Sequence, residues 1–300
     1  MEYKNIGLHF YRGYYKDYFG KEGLLSLKEE DAKEKTDIKN KQFKELNDLS
    51  NNELFKVKQD FFDLRTDYPG LYTGSGYTFG AGVKGEFQLG FLFDHTTGLP
   101  YIPGSSIKGC LRAAFPNNKG GKLTRNTKYR DERINFIWDE ILNNIRHTNQ
   151  CTINLEETSD KTKSEIVNEI ELEIFEGRNI IKEKEWQEKR NEKKEIYYSV
   201  YERDIFHDAY IEKPVKDGKT KRQFLGLDYI TPHTEGPLKN PTPLPFLKIL
   251  PGVTIRFQFT VQDGYYLKKE GKLYLFKEII KTFGIGAKTN VGYGQFSEIS

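Results

Sequence analysis

Two segments of this 300-residue chain are rich in glycine, and they limit what the chain can fold into. Between residues 70 and 109, glycine separates short runs of strand-forming residues such as Phe87 to Phe93, which predicts strands joined by tight loops. The second segment runs from Gly284 to Gly294, and glycine also recurs along it. In the first segment, glycine stands at positions 70, 74, 76, 80, 82, 85, 90, 98, 104 and 109.

The first segment leads into a predicted helix. We expect this helix to begin within residues 105–108, where a serine can cap the exposed amides, and to end near Pro116. The turn at Gly104 would bring the Ser105 and Ser106 hydroxyls, the free amides of a helix N-terminus and Lys108 to one place. Such a set of donors suits a phosphate.

The second segment offers donors of its own. Lys288, Thr289 and Asn290 stand between its glycines, and the missing glycine side chains would let another backbone approach closely. Residue chemistry alone leaves two interpretations open for both segments, namely phosphate-binding loops or tight structural turns.

Composition sets the class of protein. Basic and acidic residues nearly balance, 47 against 44, so any nucleic-acid site must be local. Two cysteines, Cys110 and Cys151, are too few for a disulfide framework and fit a reducing compartment. The N-terminus lacks an apolar run of signal-peptide length, and no stretch has the length of a membrane span. We therefore expect a soluble, cytoplasmic protein.

Hydrophobic spacing predicts an α+β fold, which we expect to form a single domain spanning 1–300. A polar, Lys/Glu-rich segment at about 21–60 and a stretch at about 131–200 have helical character, and we interpret the second as a helical insertion. Without the insertion, the remaining order is strand, helix, two strands, helix, strand. This order is the ferredoxin-like or RRM-like βαββαβ plan.

Enzyme signatures are incomplete. Residues 286–289 resemble the tail of a Walker A loop but have Ala287 before the lysine and too little chain for the helix that must follow. Ser105 and Lys108 have the spacing of serine acyl-transfer enzymes, without the other sequences of that site. The five histidines have no zinc-site spacing, so we expect neither metal nor cofactor. His207, beside Asp208, and His233 have the chemistry of a general acid or base, although hydrogen-bonded structural histidines are commoner.

Three sequences carry a family resemblance. PYIPGSSIKGCLRAAF at 100–115 resembles the signature of the RAMP superfamily of CRISPR proteins, and GIGAKTNVGYGQF at 284–296 resembles its C-terminal glycine-rich loop. DYITPHTEGP at 228–237 with PLPFLKILPGVTIRFQF at 243–259 is similar to the sixth RAMP subunit of the type III-B effector, the Cmr complex.

The resemblance implies a non-catalytic subunit that holds the 3′ portion of the CRISPR RNA beside other RAMP subunits and, through that RNA, meets target RNA. Its contacts would position the phosphate backbone without reading bases. The alternative is a metal-independent RAMP endoribonuclease that processes CRISPR RNA with His207 or His233. The residues that match the family's RNA-contacting segments, together with the histidine loop, are Gly104, Ser105, Ser106, Lys108, Arg112, His233, Gly284, Gly286, Lys288, Thr289 and Asn290.

Overall fold

The computed structural model describes residues 27–45, 60–73, 92–116, 118–119, 122–123, 130–142, 144–145, 162–216, 222–230 and 243–299. In these residues helices and strands are mixed, which confirms the predicted α+β class. The helices are α1 (Glu29–Glu45), α2 (Gly104–Ala113), α3 (Arg130–Asn135), α4 (Lys163–Glu176), α5 (Ile180–Arg190) and α6 (Lys269–Phe283). The strands are β1 (Asp60–Thr66), β2 (Leu92–Phe93), β3 (Pro100–Ile102), β4 (Asn118–Lys119), β5 (Lys122–Leu123), β6 (Ile205–Phe206), β7 (Ala209–Lys213), β8 (Val215–Lys216), β9 (Arg222–Gln223), β10 (Leu225–Ile230), β11 (Leu244–Ile249), β12 (Thr254–Thr260) and β13 (Phe296–Glu298).

The main sheet has seven strands, and every neighbouring pair in it is antiparallel. Its strand order is β13-β1-β12-β7-β3-β2, with the short β6 also paired to β12. Along the chain, α2 lies between β3 and β7, and α6 lies between β12 and β13. Helix α2 directly follows β3 and α6 directly follows β12, so both helices begin next to a strand of the same sheet.

The core forms between this sheet and the two helices. On β12, Ile255, Phe257 and Phe259 are buried, because the period of two along a strand points alternate side chains to one face. On the opposite face, Arg256 forms a two-pronged ion pair with Asp63 of β1, each N–O distance being 2.8 Å. The helix layer closes the core with fully buried side chains at helical spacing on α6, Leu275, Phe276, Ile279 and Ile280.

The predicted insertion at 131–200 contains α3, a π-helical turn at Phe136–Leu142, α4 and α5. Helix α4 begins at a capping box in which Thr162 and Glu165 exchange side-chain-to-backbone hydrogen bonds. It ends at Gly177 in a left-handed conformation that glycine adopts readily. These local signals fix the ends of the helix independently of the sheet.

Several elements differ from the sequence-based expectations. Strand β1 follows the polar segment and was not predicted, because its acids Asp60 and Asp63 make it look like surface, whereas Asp63 is paired with Arg256 across the sheet. Only the end of the predicted 291–299 strand is extended, since residues 289–291 form a 3-10 turn before β13. The hairpin of β10 and β11 was also missed.

In the described residues, none of the helices has both the length and the apolar character of a membrane span.

Candidate nucleic-acid interface

Helix α2 begins at Gly104, one residue before the predicted start, with Pro103 in the N-cap position and no side-chain cap. Glycine is required there because a Cβ at Gly104 would lie 2.1 Å from the Phe206 carbonyl oxygen. The Gly104 amide donates a 2.7 Å hydrogen bond to the Asp208 carboxylate. Ser105 and Ser106 are therefore first-turn residues with exposed hydroxyls, and the prediction that a serine caps this helix was wrong.

The C-terminal glycine-rich segment folds back on itself directly after α6. The Ile285 amide donates to the Gly294 carbonyl at 2.9 Å, and the Ala287 amide donates to the Tyr72 carbonyl at 2.7 Å. A Cβ at Gly294, whose φ is +70°, would lie only 1.9 Å from the Ile285 oxygen. Backbone contacts that no side chain would fit therefore determine the shape of this loop.

The structure brings the two glycine-rich segments together, although about 180 residues separate them in the chain. The Cys110 thiol of α2 donates a 3.1 Å hydrogen bond to the Gly284 carbonyl. Between the segments lies a cleft of about 620 Å³, which we call the α2 cleft. It is lined by Thr73, Leu92, Tyr101, Ile102, Pro103, Ser105, Ser106, Cys110, Ala113, Ala114, Arg133, Phe283, Gly284, Ile285, Gly286, Ala287 and Thr289.

Five predicted site residues line the α2 cleft, namely Ser105, Ser106, Gly284, Gly286 and Thr289. Gly104 lies next to them at the start of α2, and its amide is taken by Asp208. Lys288, which has a left-handed backbone with φ +61°, and Asn290 are exposed on the same loop but outside the cleft lining. The predicted serines, Thr289 and two of the predicted glycines thus come together in the cleft. Lys288 is next to Thr289 in the chain.

Lys108 and Arg112 are not part of the cleft lining. Arg112 binds Glu171 at 3.2 Å and Glu176 at 2.6 Å, both on α4. Lys108 lies 5.7 Å from the centre of the Phe206 ring. Burial lowers the pKa of Lys108, and the neighbouring Arg112 and Arg203 guanidiniums lower it further. The RNA-binding role of both residues stays a prediction. The Arg112 contacts join α2 to α4, whereas Lys108 lies against β6.

The predicted histidines lie apart from the α2 cleft or outside the described residues. The His207 ring nitrogen Nε2 lies 2.9 Å from the Thr260 hydroxyl, on the central sheet. Burial lowers the pKa of His207, with the Asp208 carboxylate opposing that shift. His233 lies outside the described residues, between β10 and β11.

The β10–β11 hairpin is attached to the C-terminal loop by a small polar cluster. The Tyr293 hydroxyl donates to Asp228 at 2.7 Å, and Lys248 binds the same carboxylate oxygen at 2.6 Å. Burial raises the pKa of Tyr293, and its hydrogen bond to the Asp228 carboxylate raises it further. The hairpin that carries the 231–242 segment therefore joins the same loop that forms one wall of the cleft.

A sequence model of the RAMP superfamily matches residues 63–297, a range that holds both glycine-rich segments and at least part of every strand of the main sheet. The chain belongs to the RAMP superfamily. This membership confirms the resemblance drawn from residues 100–115 and 284–296. The α2 cleft lies between these two segments.

Relatives of this RAMP protein include the CRISPR system Cmr subunit Cmr6 of Pyrococcus furiosus, which is 25% identical over 271 residues covering 81% of this chain and 72% of that protein. Among solved structures, one of the Type III-B Cmr-beta bound to cognate target RNA aligns with 20% identity and a TM-score of 0.45, covering 99% of this chain and 88% of the matched chain. The crystal structure of Cmr6 from Pyrococcus furiosus aligns with 21% identity and a TM-score of 0.33, covering 82% of this chain and 100% of that one. At these TM-scores, the family membership rests on the sequence match.

Sequence reasoning missed a charged residue of the cleft lining. Arg133 of α3 lines it, yet in the sequence it stands in a charged run of the insertion that resembles any solvated helix. No pattern in the sequence distinguishes Arg133 from the charged residues beside it, because its place in the cleft depends on how α3 packs.

Proposed function

We propose that this chain is a non-catalytic, RNA-binding RAMP subunit of a type III-B CRISPR ribonucleoprotein effector, a Cmr complex, in the cytoplasm. It would hold the 3′ portion of the CRISPR RNA through sequence-independent backbone contacts in antiviral defence. Its partners would be the CRISPR RNA, the target RNA paired to it, and other RAMP subunits. The similarity to a Cmr6 subunit supports this assignment.

The observation that carries the proposal is the convergence of the two glycine-rich segments on the α2 cleft. Exposed hydroxyls of Ser105 and Ser106 lie on one wall, and the loop that bears Lys288 forms the other. Donors of this kind bind phosphate oxygens irrespective of the attached base. One subunit would thus serve guides of many sequences.

We also propose that β1, α2, β7, β12, α6 and β13 form the ferredoxin-like βαββαβ unit. The order β13-β1-β12-β7 within the antiparallel sheet supports this assignment, because the last strand of the unit lies beside its first. Strands β2 and β3 then extend the sheet past β7. This plan places the loop after α6 and the start of α2 in reach of each other.

The absence of catalysis is part of the proposal. His207 is hydrogen-bonded to Thr260, and it does not line the α2 cleft. Replacing both His207 and His233 by alanine should therefore leave CRISPR RNA ends and RNA retention unchanged. Loss of RNA processing in that double variant, with assembly intact, would instead establish the endoribonuclease.

The proposal is tested by tagging the full chain in its host and identifying the proteins and small RNAs that copurify. We expect other RAMP subunits, and RNAs that share a repeat-derived 5′ tag whatever their spacer. Lys288→Gln should lower RNA retention by about threefold to tenfold, which is the usual effect of losing one phosphate contact. Lys213→Gln, which removes an exposed charge at the end of β7, is the matched control. A chain that copurifies without RNA, in a host that expresses a CRISPR array, contradicts the proposal.

A further inference from the structure

Arg133 is the only lysine or arginine that lines the α2 cleft among the described residues. Lys108 and Arg112 are directed into contacts outside it, and Lys288 is outside its lining. Arg133 is half-buried, and in the described part of the chain it has no carboxylate partner. A partly desolvated guanidinium without a counter-charge, in a cleft that also contains hydroxyls, is a candidate for an anionic ligand.

The position of Arg133 is set by the packing of the residues that follow it. Ile134 and Ile137 of the insertion are buried in the core, at 7% and 0% exposure. The Phe136 ring lies edge-to-face against Phe283 with 5.0 Å between the ring centres. Phe283 is the last residue of α6 and itself lines the cleft. These contacts hold the start of the insertion against the cleft beside the glycine-rich loop.

The remaining lining of the cleft suits a nucleoside. Ile102, Phe283 and Ile285 contribute apolar surface, and Tyr101 adds an aromatic ring. RNA-binding proteins hold unstacked bases against apolar and aromatic side chains. The volume of about 620 Å³ falls in the range of about 300–1,000 Å³ that is usual for small-ligand sites. A phosphate beside Arg133 and the serine hydroxyls would leave apolar surface for its base.

We propose that the α2 cleft holds one complete nucleotide of the bound RNA, with Arg133 of the helical insertion binding its phosphate and the apolar wall receiving its base. The inference rests on the proposed function and deepens it, because backbone contact alone requires neither a base pocket nor the insertion. It assigns an RNA-binding role to a segment outside the glycine-rich sequences. A pocket of this shape accepts different bases, since it offers a surface rather than a base-specific donor pattern.

The first test compares Arg133→Gln with Arg190→Gln in the assembled complex. Arg190 lies on α5 with its guanidinium 4.1 Å from the centre of the Trp186 ring, and it does not line the cleft. Loss of a charged hydrogen-bond partner should weaken RNA retention about tenfold for Arg133→Gln. The slope of log K against log salt should fall by about 0.7, the value for one single-strand phosphate, and Arg190→Gln should change neither quantity.

The second test fills the base pocket and leaves the charge in place. Ala113 is an exposed residue of the cleft lining, so Ala113→Phe should block the cleft without disturbing the core. Gly109→Phe is its control, because Gly109 is exposed on the same helix outside the lining and has nothing within 4 Å of its Cβ position. The readout is photo-crosslinking of a 4-thiouridine-substituted CRISPR RNA in the complex, mapped by mass spectrometry. We expect crosslinks within 101–115 or 283–287 for the unmodified chain and for Gly109→Phe, and a loss of at least about fivefold for Ala113→Phe.

The outcomes separate this inference from the proposed function. If Lys288→Gln lowers RNA retention while Arg133→Gln behaves as Arg190→Gln does, the RNA-binding subunit stands and the nucleotide pocket is overturned. If the complex of the unmodified chain holds no RNA, both are overturned. If Ala113→Phe releases neighbouring subunits and leaves the RNA crosslinks unchanged, the cleft binds protein, and the nucleotide pocket is again overturned.

Discussion

The α2 cleft and the junction between α4 and α6 both join distant parts of the chain, but by opposite means. The cleft is held by backbone contacts, such as Ile285 to Gly294 and Ala287 to Tyr72, that require glycines. The second region, which we call the charged junction, is held by ionisable side chains, and all of them except Glu169 are buried. Its members are Glu169, Glu173, Asp204, Tyr266 and Lys272.

In the charged junction, Lys272 binds Asp204 at 2.7 Å, and only 3% of either side chain is exposed. The Glu173 carboxylate accepts hydrogen bonds from the Tyr265 amide at 2.9 and 3.0 Å, and the Tyr266 hydroxyl donates to Glu169. A buried ion pair stabilises little relative to apolar packing, yet losing one member is costly. The shape of the cleft therefore requires positions without a side chain, whereas the stability of the charged junction requires that each buried charge has a partner.

The largest effect is expected on breaking the buried pair. Lys272→Met leaves Asp204 charged and buried, and we expect the free energy of unfolding to fall by about 3–5 kcal/mol. Lys281→Met on the same helix is the control, because Lys281 binds Glu278 and Glu298 near the surface and its loss should cost no more than about 1 kcal/mol. Urea denaturation of both variants measures the difference. Equal losses would mean that burial does not distinguish the junction from the surface.

The next effect is the pH dependence of the same junction. Burial raises the pKa of Glu173 from 4.5 to about 7, against the opposing influence of Lys272. The folded chain therefore binds a proton between pH 4.5 and 7 that the unfolded chain releases, so stability falls as pH rises through this window, by up to about 3 kcal/mol. Burial also raises the pKa of Asp204, which adds a change of the same sign.

Glu173→Gln should remove most of this slope in urea denaturation at pH 5, 6, 7 and 8. Glutamine is a close match in shape and keeps an acceptor for the Tyr265 amide, so the variant changes the titration more than the packing. A slope that survives the substitution would assign the pH dependence to other groups.

The smallest of the three effects concerns the backbone-built cleft. Gly294→Ala places a Cβ 1.9 Å from the Ile285 oxygen at a φ of +70°, and it should cost about 2 kcal/mol or more. Gly109→Ala is the control, because nothing lies within 4 Å of its Cβ position and alanine favours a helix interior, which should add up to about 1 kcal/mol. Thermal unfolding checks both signs. A harmless Gly294→Ala would show that the loop tolerates side chains after all.

Much of the site could be predicted because its glycines are needed locally. Where one backbone approaches another closely there is no room for a Cβ, so the position must be glycine. The sequence shows this directly at Gly104, Gly286 and Gly294. The α6 spacing of Leu275, Phe276, Ile279 and Ile280 was equally readable, since one helix face is buried along its whole length.

Other features had no local signal. The pairing of β1 with β12 joins residues almost 200 positions apart. From the sequence, the acids of β1 indicate an exposed segment, because the Arg256 partner of Asp63 is known only from the fold. Lys272 and Glu173 likewise stand among other charged residues, and only the fold reveals that they are buried. A buried or half-buried charge can be recognised only when its oppositely charged partner is known. Here Asp63 pairs with Arg256 of another strand, and Lys272 pairs with Asp204, which lies outside its helix.

The sequence by itself therefore determined the mixed helix-and-sheet class, the two glycine-rich segments and the RAMP family. Tertiary structure alone decided that the two segments share one cleft, that Arg112 faces α4, and that Arg133 of the insertion faces the cleft. The physical reason is that glycine content and helical period are properties of neighbouring residues. Which side chains meet across a cleft depends instead on how whole elements pack.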